Sequence, residues 1–128
     1  MCVVSPPAEL VLSATAEAPG RAREFLRQVH CATHQPDGSD RAQLLVTELV
    51  TNAVRHGLPP LRVRVECDQD SVVVRVGDAS PARPVLREAA LEDESGRGVA
   101  LVDLLSDAWG IEPAEDGKHV WFRLRAAA

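Results

Sequence analysis

The chain lacks any apolar run approaching the roughly 20 residues that a bilayer span requires; its longest are only a few residues. No basic segment followed by an apolar stretch stands at the N-terminus, which argues against a secretion signal. Positive charge is in deficit. Fourteen Lys and Arg against nineteen Asp and Glu give a formal net charge of −5 and a pI near 5.3, which opposes binding driven by phosphate neutralisation. The few cysteines, Cys2, Cys31 and Cys67, cannot all pair, and their spacing matches no zinc or redox motif. They read as reduced thiols of a cytoplasmic protein. Tyrosine is absent and Lys118 is the only lysine, a bias that points to a GC-rich genome and says little about function. No internal repeat or low-complexity tract is present.

What remains is ordinary for a globular chain. Apolar residues make up 45% and charged residues 26% of 128 residues, with a mean hydropathy of −0.08, enough for one compact domain. Ser5-Pro6-Pro7 disfavours a regular start, so residues 1–7 read as a loose leader and 8–126 as the domain. Leu10, Leu12 and Ala14 alternate with Val11, Ser13 and Thr15, predicting a first strand. After Pro19-Gly20, Ala22, Phe25, Leu26 and Val29 fall at helical spacing. Gln35-Pro36-Asp37-Gly38 reads as a turn, and Ser39 as the N-cap of a helix over 40–56. On that helix Ala42, Leu45, Val46, Leu49, Val50, Ala53 and Val54 cover about half the circumference, so it must lie on a sheet or between other elements. Gly57 and Pro59-Pro60 end it.

Two alternating segments follow, Leu61-Val63-Val65 and Val72-Val74-Val76, predicting a hairpin across Asp68-Gln69-Asp70. Residues 79–97 contain Pro81, Pro84 and Glu92-Asp93-Glu94 without apolar periodicity, the character of a functional lid. A short helix after Gly98 and two strands, around Trp109-Ile111 and Val120-Phe122-Leu124, complete the chain. Hairpin-paired strands with helices sharing one face indicate an α+β two-layer sandwich.

Several residues could carry chemistry. Glu48 and Asn52 stand one turn apart at the border of the apolar arc. An amide oxygen there can ligand a hard cation and a carboxylate can take a proton, though an ordinary rim pair on an amphipathic helix has the same spacing. Asp78 ends an apolar strand, a position that suits either a functional acid or a turn begun with Ser80 and Pro81. Gly96-Arg97-Gly98 before an apolar helix suits backbone approach to phosphate, and equally a hinge. His56 projects between Leu45 and Leu49, as a core histidine or a pocket residue would. His30, Cys31 and His34 lack a fourth ligand for a metal site. No dinucleotide fingerprint, Walker A lysine, nucleophile elbow or HExxH pattern occurs.

The order of these pieces is more specific than any one of them. Val46-Thr47-Glu48-Leu49-Val50-Thr51-Asn52-Ala53-Val54-Arg55-His56-Gly57 resembles the N box of the GHKL (histidine-kinase-like) ATPases, and within them the small anti-sigma-factor serine/threonine kinases. Asp78 falls at the adenine-reading position of their first glycine box, Ser95-Gly96-Arg97-Gly98-Val99 is similar to the second, and Gly117-Lys118-His119-Val120-Trp121-Phe122 to the last. The resemblance spans about residues 9–125 and implies a Bergerat fold: a mixed, mostly antiparallel sheet with about three helices on one face. It further implies ATP and Mg²⁺ as cofactors, Asn52 as the magnesium ligand and Glu48 as general base. His56, Asp78, Ser80, Gly96, Arg97, Gly98, Val99 and His119 would bind the nucleotide. Two departures stand out: Ala79-Ser80-Pro81-Ala82 replaces the usual glycines after the first-box Asp, and His119 takes the usual Thr position.

The resemblance thus implies a cytoplasmic kinase that phosphorylates a small anti-sigma-factor antagonist and sequesters a sigma factor, with room for a homodimer and no direct contact with nucleic acid or membrane. The alternative is the same fold kept as an inactive protein-binding module of partner switching. A complete histidine kinase, with its phosphoacceptor and sensor segments, does not fit the length.

Overall fold

The computed structural model describes residues 8–29, 37–67, 71–80, 102, 105–114 and 117–125. Strand β1 (Ala8–Leu12) leads into α1 (Ala18–Val29) and α2 (Asp37–His56), followed by β2 (Leu61–Cys67), β3 (Ser71–Asp78), β4 (Ala108–Ala114) and β5 (Gly117–Arg125). The strands form one sheet in the order β1-β2-β3-β5-β4, with every pairing antiparallel. This is the expected α+β sandwich, with helices packed on one face of an antiparallel sheet.

Strand alternation decides which side chains meet the helices. Leu61, Val63 and Val65, with Val72, Val74 and Val76, and Phe122 and Leu124, all point to one face and are buried. Onto it pack Ala18, Ala22 and Leu26 of α1 and Ala42, Leu45, Val46, Leu49, Val50 and Ala53 of α2. Each valine or leucine fully buried there contributes roughly 1.5–3 kcal/mol. Val102 and Leu105, both helical, also pack with this core, the described trace of the helix expected after Gly98. The opposite face carries charge. Glu9 pairs with Arg62 at 3.2 Å and Arg64 at 3.5 Å, and Glu66 with Arg75 at 2.7 Å.

Both helices begin earlier than the sequence suggests. Pro19 and Gly20 lie inside the first turn of α1, where a missing N–H forfeits no intrahelical bond. Likewise α2 begins at Asp37, so the expected turn runs into the helix and Ser39 lies in its first turn rather than capping it. Residues 1–7, the turn at 68–70, His30, Cys31, His34 and residues 81–101, which hold nearly all of the expected lid, lie outside the described residues.

Candidate functional site

Three separate points of the chain converge where α2 ends above the sheet. The first is the helix itself. Its periodicity sets Glu48, Asn52 and His56 at four-residue spacing along one edge, and Gly57 donates the last helical bond to the Ala53 carbonyl at 2.9 Å. Asn52 and Glu48 are half-buried, about 7.5 Å and about 13.5 Å from Gly57 along the axis at 1.5 Å per residue. Among the described residues Glu48 has no hydrogen-bond or ion-pair partner. His56 is exposed, which corrects the expectation of a histidine facing the packed side. The apolar arc of the wheel continues to the helix end, but there the chain turns away at Gly57 and leaves the ring without a packing surface.

The second point is the end of β3. Beyond Val72, Val74 and Val76, the same alternation carries Asp78 onto the helix side of the sheet. Its side chain is only 6% exposed. Oδ1 accepts the Ser80 N–H at 2.7 Å and the Leu58 N–H at 3.5 Å. The Leu58 carbonyl in turn accepts the Ala79 N–H at 2.8 Å, so the loops after α2 and β3 are stitched together. Asp78 therefore does begin a turn, as its Asx-type bond to Ser80 shows, and also sits under the helix end. Gly57 makes room for it: a Cβ at that position would come within 2.6 Å of Asp78 Cγ.

The third point is the start of β5. Register pairs Asp78 with Lys118, and the Nζ donates to Oδ1 at 3.2 Å, to Oδ2 at 3.0 Å and to the Ser80 carbonyl at 3.4 Å. The Lys118 side chain is 8% exposed, so this is a buried ion pair. Such a pair is strongly destabilised by loss of either member, because the remaining charge is left in an apolar setting. Gly117 precedes it with φ of 152°, and a Cβ there would collide with the Asp78 carbonyl oxygen and Ala79. Only glycine accommodates both demands.

Lys118 is the residue that motif spacing passes over in favour of its neighbour. His119 lies on the opposite face of the sheet, across from Gly77, with Nε2 3.8 Å from Glu112 Oε2. It nonetheless lines, with Arg62, Asp78 and Lys118, a cavity of about 190 Å³ at this end of the sheet. The signal for Lys118 was present in the alternation: Val120, Phe122 and Leu124 place residue 118 on the core side, where a cation requires a partner. Ser80 is buried beside the pair. Gly96, Arg97, Gly98 and Val99 lie outside the described residues. Among the described residues no group of three or more His, Cys, Asp or Glu could hold a metal unaided. Magnesium at Asn52 would therefore need oxygen ligands from the nucleotide and water, the usual habit of that ion.

No curated protein matches the chain. A model of the histidine kinase-like ATPase domain, however, matches residues 12–124, from the last residue of β1 to the penultimate residue of β5, and the chain belongs to that family.

Proposed function

We propose that this protein is an ATP-dependent serine/threonine protein kinase of the partner-switching type. It would bind ATP with Mg²⁺, phosphorylate a small anti-sigma-factor antagonist and sequester a sigma factor in the cytoplasm. Family membership implies ATP binding, and the order of the motifs supports the finer reading. The observation that carries it is Asp78: a buried carboxylate, fixed beneath the end of the helix that bears Asn52 and Glu48, with acceptor capacity left on Oδ2. That is the chemistry needed to receive the amino group of a base.

The other residues fit the same group. The half-buried Asn52 offers an amide oxygen to a hard cation. Glu48, without a partner among the described residues, is available to accept the proton of a serine or threonine hydroxyl as its oxygen forms the bond to phosphorus. ATP, when bound, supplies the phosphoryl group and leaves as ADP. Positioning and charge neutralisation are most of what such a transfer asks of a protein. A protein partner also suits the charge: at −5 the chain favours the protein surface of a DNA-binding factor over DNA.

The test is thermal unfolding with and without Mg-ATP, followed by transfer of labelled phosphate to a candidate antagonist. Nucleotide at 100 times its Kd stabilises by about 2.7 kcal/mol. No shift at millimolar Mg-ATP refutes nucleotide binding and favours the inactive binding module. A shift without transfer to any antagonist removes the kinase assignment alone.

A further inference from the structure

The two oxygens of Asp78 are unequal. Oδ1 receives three donors: the Ser80 N–H at 2.7 Å, Lys118 Nζ at 3.2 Å and the Leu58 N–H at 3.5 Å. Among the described residues Oδ2 receives only Lys118 Nζ, at 3.0 Å. A carboxylate oxygen offers about two lone-pair positions, so Oδ1 is filled and Oδ2 keeps one. Lys118 is turned inward as well: Nζ donates to the carboxylate, 3.2 Å from Oδ1 and 3.0 Å from Oδ2, and to the Ser80 carbonyl at 3.4 Å, on a side chain only 8% exposed.

An unencumbered carboxylate takes two parallel N–H groups on its two oxygens, as it does from arginine. Guanine offers that paired edge through N1–H and its 2-amino group. Adenine offers a single 6-amino group beside an acceptor nitrogen. We infer that Lys118 is the positioning residue that sets base selectivity at this site: by occupying both oxygens together with two backbone amides, it reduces Asp78 to a single lone pair that accepts adenine and turns guanine away. The assignment rests on the proposed nucleotide site and deepens it. Its placement is built into the backbone, through the Asp78–Lys118 register and the positive φ of Gly117 before it.

Calorimetric titration of ATP and GTP into the wild type, Lys118→Met and Lys118→Gln tests it. Methionine keeps the length of the side chain and removes its donors. The GTP-to-ATP ratio of Kd values should fall by roughly tenfold or more, the worth of a hydrogen bond to a charged group. Glutamine, with a neutral donor, should fall between. A merely structural role for Lys118 weakens both nucleotides alike, so an unchanged ratio overturns the assignment. Should the variants fail to fold, the wild type suffices, because Lys118 is the only lysine. Selective ¹³C-lysine labelling then gives one side-chain signal, which should move on ATP addition. A signal that stays fixed while calorimetry reports binding overturns the inference and leaves nucleotide binding standing. If the wild type binds neither nucleotide, both readings fall.

Discussion

Replacing Gly57 by alanine sets two opposed effects against each other. Gly57 is not a positive-φ glycine, so alanine adopts its backbone without strain and restricts the unfolded chain, a gain of about 0.4–1 kcal/mol. Against this, the new Cβ would lie 2.6 Å from Asp78 Cγ, 2.8 Å from Asp78 Oδ2 and 2.8 Å from the Ala53 carbonyl oxygen. None of these can retreat freely. Asp78 is held by Lys118 and Ser80, and the Ala53 oxygen accepts the last bond of α2. Overpacking of this kind costs about 1–3 kcal/mol, so the clash wins by roughly 1–2 kcal/mol. At about 3–5 °C per kcal/mol for a chain of this size, Tm should fall by about 3–10 °C. A thermal melt followed by circular dichroism measures it. In an Asp78→Ala background the penalty should shrink by at least about 0.5 kcal/mol, since contacting residues couple. A Gly57→Ala protein that melts at or above the wild type would refute the close approach of strand end and helix end.

Gly117→Ala combines a left-handed φ with a collision against backbone atoms, and should destabilise by at least about 2 kcal/mol in urea denaturation. Phe122→Ala, at a fully buried position beside Val74 and Trp109, should lose about 3–5 kcal/mol, a large part of a small domain's stability. Glu9→Ala, in contrast, removes ion pairs whose side chains are 37–53% exposed, and should change stability by no more than about 1 kcal/mol. For the proposed chemistry, Glu48→Gln should slow phosphate transfer by about 10²–10⁴-fold with nucleotide affinity retained. Asn52→Ala should remove the magnesium dependence of binding, read by calorimetry with and without the metal.

Much of the architecture was legible because it follows local periods. The alternation of Val63 and Val65 and of Val72, Val74 and Val76 fixed the hairpin and its buried face, and the wide apolar arc of α2 fixed the helix on top. Helix starts were less legible. Pro19 and the Asp37-Gly38-Ser39 run act as breakers only in a helix interior, not in a first turn. Insertion of β5 between β3 and β4 is a long-range pairing that no local period encodes. The Asp78–Lys118 pair depends on that insertion, so motif spacing pointed to His119 and missed its neighbour. His56 shows the opposite error: the wheel extends the packed arc past the point where packing stops.

The place of β5 in the sheet has a consequence for synthesis. During translation β3 emerges well before β5, and its neighbour on that side is missing until residues 117–125 have left the ribosome. Through that interval the edge bearing Val72, Val74 and Val76 is open, the kind of apolar strand edge that recruits other chains. Asp78 meanwhile has no lysine to meet. The buried pair can close only once β5 has docked, so until then protection of that edge falls to chaperones or to the speed of docking.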